Sequence, residues 1–259
     1  MNSIFHYTQE EIGSALREVG LQNGDIIFTH SNVGFFGILK NATTPSDYYQ
    51  AFKTEIIKVI GNEGTFIMPT FTYSYCWNQV YDKKNSPSTC GLLSEEMRKD
   101  KEVLRSNDPN FSICALGKDA EYFVKNPDHN SFGKNSIWSR FYKKQGKFVN
   151  FNFDSASTFV HFAERELEVD YRYDKAFDGT SIIGGREILD TYYHYVYDLE
   201  KPETGPDFTK FDYYAKTHNY TKTGDLGRGQ IVLITAQDMF SIIKEQYKIN
   251  PQFFIKSKQ

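Results

Sequence analysis

The first seventy residues alternate helix, strand, helix, strand, and this alternation restricts the chain to an α/β sheet protein. Thr8-Gln-Glu-Glu11 has the Thr-x-x-Glu spacing of a capping box, and Ile12, Ala15, Leu16 and Val19 recur at helical spacing before Gly20. After the Asn23-Gly24 turn, Asp25 to His30 reads as a buried strand. It runs into a small-residue loop, Ser31-Asn32-Val33-Gly34-Phe35-Phe36-Gly37. Ser46 stands where it would cap a second helix carrying Tyr49, Phe52, Ile56, Ile57 and Ile60. Gly64 to Met68 is a second strand, which opens into Pro69-Thr70. Ligands of open α/β sheets lie beyond the carboxyl ends of the strands, so both loops are candidate ligand loops whatever the chemistry.

The remaining elements are sparser. Residues 73–92 read as a polar surface loop, Leu93 to Asp100 as a short helix, and Phe111 to Ala115 as a strand. Ser136 caps a helix through Phe141. Lys147 to Asn152 is a strand and Ser157 to Leu167 a helix. Gln230 to Ile234 and Ala236 to Tyr247 close the chain as strand and helix. Residues 171–225 hold nine of the 18 tyrosines and two loop signals, Lys201-Pro202 and Gly205-Pro206. They read as a partly extended insert within one domain spanning 1–259.

Composition removes several function classes. With 39% hydrophobic residues the chain can bury a core, so global disorder is excluded. The formal charge is -3 and no basic stripe is present, so no nucleic-acid partner is expected. No run of about eighteen apolar residues occurs, so no membrane span is expected. The N-terminus has no secretory apolar core, and Cys76, Cys90 and Cys114 form no close pair. Both point to a reducing cytoplasm. The six histidines have no metal spacing, and no metal is expected. Phosphate-loop, dinucleotide, G-x-S-x-G and H-E-x-x-H motifs are absent.

What chemistry remains centres on His161. His161 and Glu164 are i and i+3 on a helix and share a face. An imidazole oriented by a carboxylate is a general base for neutral pH. The plainer alternative is a helix-face histidine beside an exposed glutamate. His30 ends the first strand, either as a ligand contact or as a turn cap. Arg105-Ser106-Asn107-Asp108-Pro109 is a turn cluster with a cation, and Asn130-Ser-Phe-Gly133 is another turn.

Taken together, these segments resemble one family in order and nearly end to end. Gly24-Asp25 through His30-Ser31 to Gly37 resembles the first motif of the aminoglycoside 3-N-acetyltransferases, and Gly64 to Phe71 the second. Arg105 to Ser112, with Ala115 and Gly117, is similar to their Arg-[Ser/Thr]-x-x-Pro-x-x-Ser motif. Ser131-Phe-Gly133 with Ser136 matches the next. Thr158-Phe-Val-His161-Phe-Ala-Glu164 matches the Thr-x-x-His-x-x-Glu segment that carries the family's catalytic histidine. The resemblance implies an α/β sandwich with a central mixed sheet flanked by helices, distinct from the GNAT fold. It implies an N-acyltransferase using acyl-coenzyme A as co-substrate, with His161 as base and Glu164 orienting it. The coenzyme is expected on His30, Ser31, Asn32, Gly34, Phe36, Gly37, Thr70, Arg105, Ser106, Ser112 and Thr158. The acceptor is expected on Tyr73, Asp108, Tyr171, Arg172, Tyr173 and Lys175.

One departure bears on the acceptor. Antibiotic-modifying members usually have a histidine before the proline of the Arg motif, where this chain has Asp108. The stretch Val169 to Gly179 looks more like relatives that acylate nucleotide-linked amino sugars, dTDP-linked ones above all, for O-antigen or capsule. The 171–225 segment, with 10 acidic and 7 basic residues, shows no strong acidic excess for a polycationic drug. Tyr171, Tyr173, Tyr192, Tyr193, Tyr195 and Tyr197 offer stacking for a base, and Arg172, Lys175 or Arg186 offer charge for its phosphates. A nucleotide-linked amino sugar is therefore the first expected acceptor and an aminoglycoside the second. Chain size is compatible with a homodimer.

Overall fold

The computed structural model describes residues 5–125, 127–201 and 205–256. Pro202, half of one expected loop signal, lies outside them. A seven-stranded mixed sheet organises the chain. Its strands are β1 (Ile26–Phe28), β2 (Thr65–Pro69), β4 (Leu104–Arg105), β5 (Ile113–Gly117), β6 (Lys147–Phe151), β9 (Lys222–Leu226) and β10 (Gly229–Thr235). The order is β4-β5-β2-β1-β6-β10-β9. Only the central trio β2, β1 and β6 is parallel; the flanking strands run antiparallel.

Period-two alternation assigns each strand residue to one of two helical layers. Ile27, Phe66, Met68, Val149 and Phe151 face α1 (Gln9–Glu18), α2 (Pro45–Ile60) and α3 (Leu92–Lys99). Phe28, Ile67 and Phe148 face α4 (Ala120–Val124), α5 (Ile137–Lys143), α6 (Phe159–Glu166) and α8 (Ala236–Ile249). The fold is thus the expected α/β sandwich. Thr8 caps α1 through the complete capping box. For α2 the cap is Thr44 rather than Ser46, because Pro45 takes the first helical position and Asp47 returns the second capping bond.

Outside the main sheet, β7 (Arg172–Ile183) and β8 (Arg186–Tyr197) form a long hairpin. Gly184 and Gly185 close it, both at positive φ (59° and 79°), as a two-residue turn between right-twisted strands requires. Residues 73–92 are not simply a surface loop. They contain a 3₁₀ turn at Tyr75–Trp77 and β3 (Tyr81–Asp82), which pairs with β7. Tyr75, Tyr81 and Tyr192 make a small core of their own beneath the hairpin. The later part of the 171–225 segment returns to the body: α7 (Thr209–Thr217) packs on α8, and β9 is the sheet's edge strand.

Candidate active site

A cavity of about 420 Å³ opens at the carboxyl ends of the parallel strands. Its wall includes His30 and Ser31 after β1, Pro69 at the end of β2 and Phe71 beyond it, and Thr158 and His161 at the start of α6. Cys90 also borders it, and burial raises its thiol pKa, so it is held as a thiol. The hollow beside Lys83 and Arg105 is larger, about 690 Å³. Its guanidiniums are already engaged, Arg98 by Glu95 and Arg105 by backbone carbonyls.

His161 stands one turn from Glu164 on α6. Its Nδ1 is 3.4 Å from Glu164 Oε2. The imidazole keeps 22% of its side-chain surface open, whereas Glu164 is wholly buried. Among the described residues, its Nε2 has no hydrogen-bond partner. The ring is set edge-on to Phe132, with centroids 5.4 Å apart. Glu164 is not the exposed glutamate of the plainer reading. Its Oε1 accepts from the Tyr171 hydroxyl at 2.8 Å, and its Oε2 lies 2.8 Å from Arg172 Nε. That last contact is an ion pair with a poorly aligned N–H. Burial and the Arg172 charge lower the His161 pKa against the opposing pull of Glu164, so the ring is neutral near pH 7.

His30 faces the same cavity. The His30 backbone N–H donates to Asn150 Oδ1, while Asn150 Nδ2 donates to the Asp154 carbonyl. The amide orientation is therefore fixed from both ends. His30 Nδ1, 3.3 Å from Oδ1, must be the donor. Nε2 then carries a lone pair, buried and without a partner among the described residues. Burial pushes the pKa of this histidine down to about 4. Asn150 gave no sequence signal, since it is 120 positions from His30 and meets it only because β6 lies beside β1.

Several residues expected at the coenzyme are bonded within the scaffold. Arg105 donates to the carbonyls of Lys83, Ser86 and Thr70 and to Ser112 Oγ, and packs over Tyr81. Thr70, Ser106 and Ser112 are fully buried in the same knot, where Ser112 Oγ donates to the Thr70 carbonyl and Ser106 Oγ accepts from Ile113 N. This knot shapes the cavity through Pro69 and Phe71, and among the described residues Arg105 Nε is left without a hydrogen-bond partner. Phe36 is a core residue, stacked on Phe52. Gly37 bends the loop at φ 87°, where any Cβ would strike the His6 ring. Asn32 lies on a neighbouring hollow with Phe153 and Arg228, and Gly34 has open space beside it.

On the acceptor side, Asp108 is also structural. It accepts from Asn110 N, Phe111 N and Ser131 Oγ, tying the Arg105 turn to the Ser131 turn. Tyr73 packs among Phe71, Trp77 and Phe111. Tyr171 is buried on Glu164, and Arg172 is buried between Glu164, the Tyr195 carbonyl and the Tyr197 ring. Tyr192 and Tyr195 are buried as well, and Tyr193 is exposed. Tyr173 and Lys175 lie on a second cavity, of about 750 Å³, together with Tyr197, Asp170, Asp198 and Glu200. Arg172 borders that cavity and bonds His161 with its other end.

A profile described as aminoglycoside 3-N-acetyltransferase matches residues 30–248. The chain belongs to that family. Membership gives the reaction class, N-acetyl transfer. A curated relative, the SPbeta prophage-derived aminoglycoside N(3')-acetyltransferase-like protein YokD of Bacillus subtilis (strain 168), is 25% identical over 191 residues. The match covers 64% of this chain and 68% of YokD. A histidine-to-alanine mutant of AAC(3)-IVa in complex with a gentamicin superposes with a TM-score of 0.81 at 20% identity, covering 99% of this chain and 94% of that one. AAC-IIIb in a binary complex with CoASH gives 0.79 at 19% identity, covering 97% and 99%. Among the described residues, no helix is long and apolar enough to cross a membrane, and no group of three or more His, Cys, Asp or Glu could hold a metal.

Proposed function

We propose that the protein transfers the acyl group of an acyl-coenzyme A to a primary amine of an amino sugar by direct attack, with His161 as general base. The observation that carries this reading is the cavity-facing His161 backed by the buried Glu164. A thioester is already activated, so the protein must supply a neutral amine held in line. As the N–C bond forms and the C–S bond breaks, the amine proton passes to His161 Nε2, and the thiolate leaves. Glu164 orients the ring and stabilises the imidazolium. The unpartnered His30 Nε2 and Ser31 Oγ on the same wall suit the amides and hydroxyls of a coenzyme arm. Thr158 and the loop through Asn32 and Gly34 extend that surface.

For the acceptor, the geometry favours an aminoglycoside-type polyamine over the nucleotide-linked sugar expected first. Several of the supports for a nucleotide have other employment, while Tyr173, Lys175 and Tyr197 remain on a cavity wall. Arg172 is paired internally, and Tyr171, Tyr192 and Tyr195 are buried. The cavity beside Arg172 carries Asp170, Asp198 and Glu200 against Lys175, which suits a polycation. Complexes of neighbours with a gentamicin and with sisomicin point the same way.

The test is acylation by purified protein, with acetyl-CoA, of aminoglycosides and of dTDP- and UDP-linked amino sugars. His161→Ala should lower turnover about 10²–10⁴-fold while coenzyme binding persists. Near-normal turnover of that variant would remove His161 from the mechanism. Turnover of a nucleotide-linked sugar alone would restore the first expectation.

A further inference from the structure

We propose that Arg172 is a positioning residue that holds His161 in its Nε2–H tautomer, a resting state from which the base is released only when their contact breaks. The inference rests on the reading of His161 as the base. It concerns which nitrogen carries the proton before reaction.

Arg172 Nη2 lies 2.9 Å from His161 Nδ1, closer than Glu164 Oε2 at 3.4 Å. A guanidinium only donates and stays charged. His161 Nδ1 must therefore accept, with its lone pair turned toward Arg172. A neutral imidazole has one proton, so that proton sits on Nε2. Nε2 is the nitrogen on the cavity side. As an N–H it can donate to a ligand, but it cannot take a proton from an amine.

Arg172 does not depend on His161 for its own position. Its Nη1 donates to the Tyr195 carbonyl at 2.8 Å, its Nε is 2.8 Å from Glu164 Oε2, and its plane covers the Tyr197 ring at 3.6 Å. Only 2% of its side chain is exposed. The hairpin therefore presents the guanidinium to α6 ready-made. The charged and titratable groups around His161 are Glu164 on its own helix, Arg172 and Tyr171 from the segment entering β7, Tyr195 and Tyr197 of β8 behind Arg172, and His30 and Cys90 across the cavity. Arg172 and Glu164 offset one another's charge. The base form requires Nδ1–H to face Glu164 Oε2. That needs an approach of roughly half an ångström to reach normal hydrogen-bond length, and loss of the Arg172 contact.

Two-bond ¹⁵N–¹H spectra of the histidine rings test this directly, recorded at about pH 8, where a neutral ring is expected. His161 is assigned from the signal missing in His161→Gln. The resting protein should show the Nε2–H pattern, and Arg172→Met should convert it to Nδ1–H. An Nδ1–H pattern in the unmodified protein overturns the proposal, and this arm needs no variant to fold. In the kinetic arm, loss of the Arg172 charge leaves Glu164 unopposed. The acid limb of kcat/KM should then rise by about 1–3 pH units. A limb that stays in place overturns the proposal. If no acceptor is acylated at all, the functional reading fails while the tautomer measurement still stands.

Discussion

At the scale of single residues, the cavity holds two neutral histidines with different neighbours. Burial lowers the pKa of both; at His161 the Arg172 charge adds to it against the pull of Glu164, whereas at His30 one Asn150 oxygen opposes it. The second state has a consequence for stability. In the unfolded chain His30 takes up its proton near the ordinary value of about 6.5, whereas in the folded protein it does so at about 4. Between those values the unfolded state binds more protons, so stability is full above the window and falls as pH drops through it. The contribution is on the order of 3 kcal/mol. His30→Gln has nothing to titrate, so its urea midpoint should lose less than that of the unmodified protein from pH 7 to pH 4. Parallel pH curves for the two proteins would show that His30 is not buried neutral. The wider lesson at this scale concerns residues matched by motif. His161 and Glu164 were legible, because i and i+3 on a helix is local geometry. Arg105, Ser106, Asp108 and Ser112 read as ligand contacts because a motif gives residue types and not directions. Their side chains bond within the scaffold: Arg105 to carbonyls of distant segments, Ser106 and Asp108 to backbone amides a few residues on.

At the scale of elements, caps and periodicity located most helices and the buried strands, and the hairpin was the main element not resolved. Its strands alternate too loosely for a clear period, since much of β7 faces solvent. The Gly184-Gly185 pair was the available turn signal. Residues 73–92 could not be read correctly without it. Tyr75 and Tyr81 look like loop tyrosines until β7 covers them. The contact is tight at Gly179, where a Cβ would lie 2.4 Å from Tyr75 Cδ1. The same Tyr75 hydroxyl meets Ser181 at 2.7 Å and also donates to Asp190. Gly179→Ala should therefore push the ring aside and break both bonds, at a cost of about 1–3 kcal/mol in denaturant unfolding. A change below about 0.5 kcal/mol, typical of a neutral surface substitution, would mean that the hairpin is not seated on Tyr75.

At the scale of the whole molecule, the alternation of helix and strand announced the layers but could not give the strand order. Strand β1 is central because β6, far along the chain, pairs on its free side and brings His30 to Asn150. The same sheet supplies side chains to both hydrophobic layers, so neither layer can melt without the other. A ligand seated at the ends of the central strands should therefore stabilise the entire sandwich. Coenzyme A at about 100 times its Kd should add about 2.7 kcal/mol. At about 2–4 °C per kcal/mol for a domain near this size, Tm should rise by roughly 5–10 °C. Trp77 is exposed and Trp138 is buried between sheet and helices. In a Trp77→Phe background, Trp138 emission reports the core on the α5 side. That transition and the far-UV circular dichroism transition should shift together when coenzyme is added. An emission transition that moves alone would show that the coenzyme steadies only one layer, and no shift at saturation would place its site away from the parallel strands.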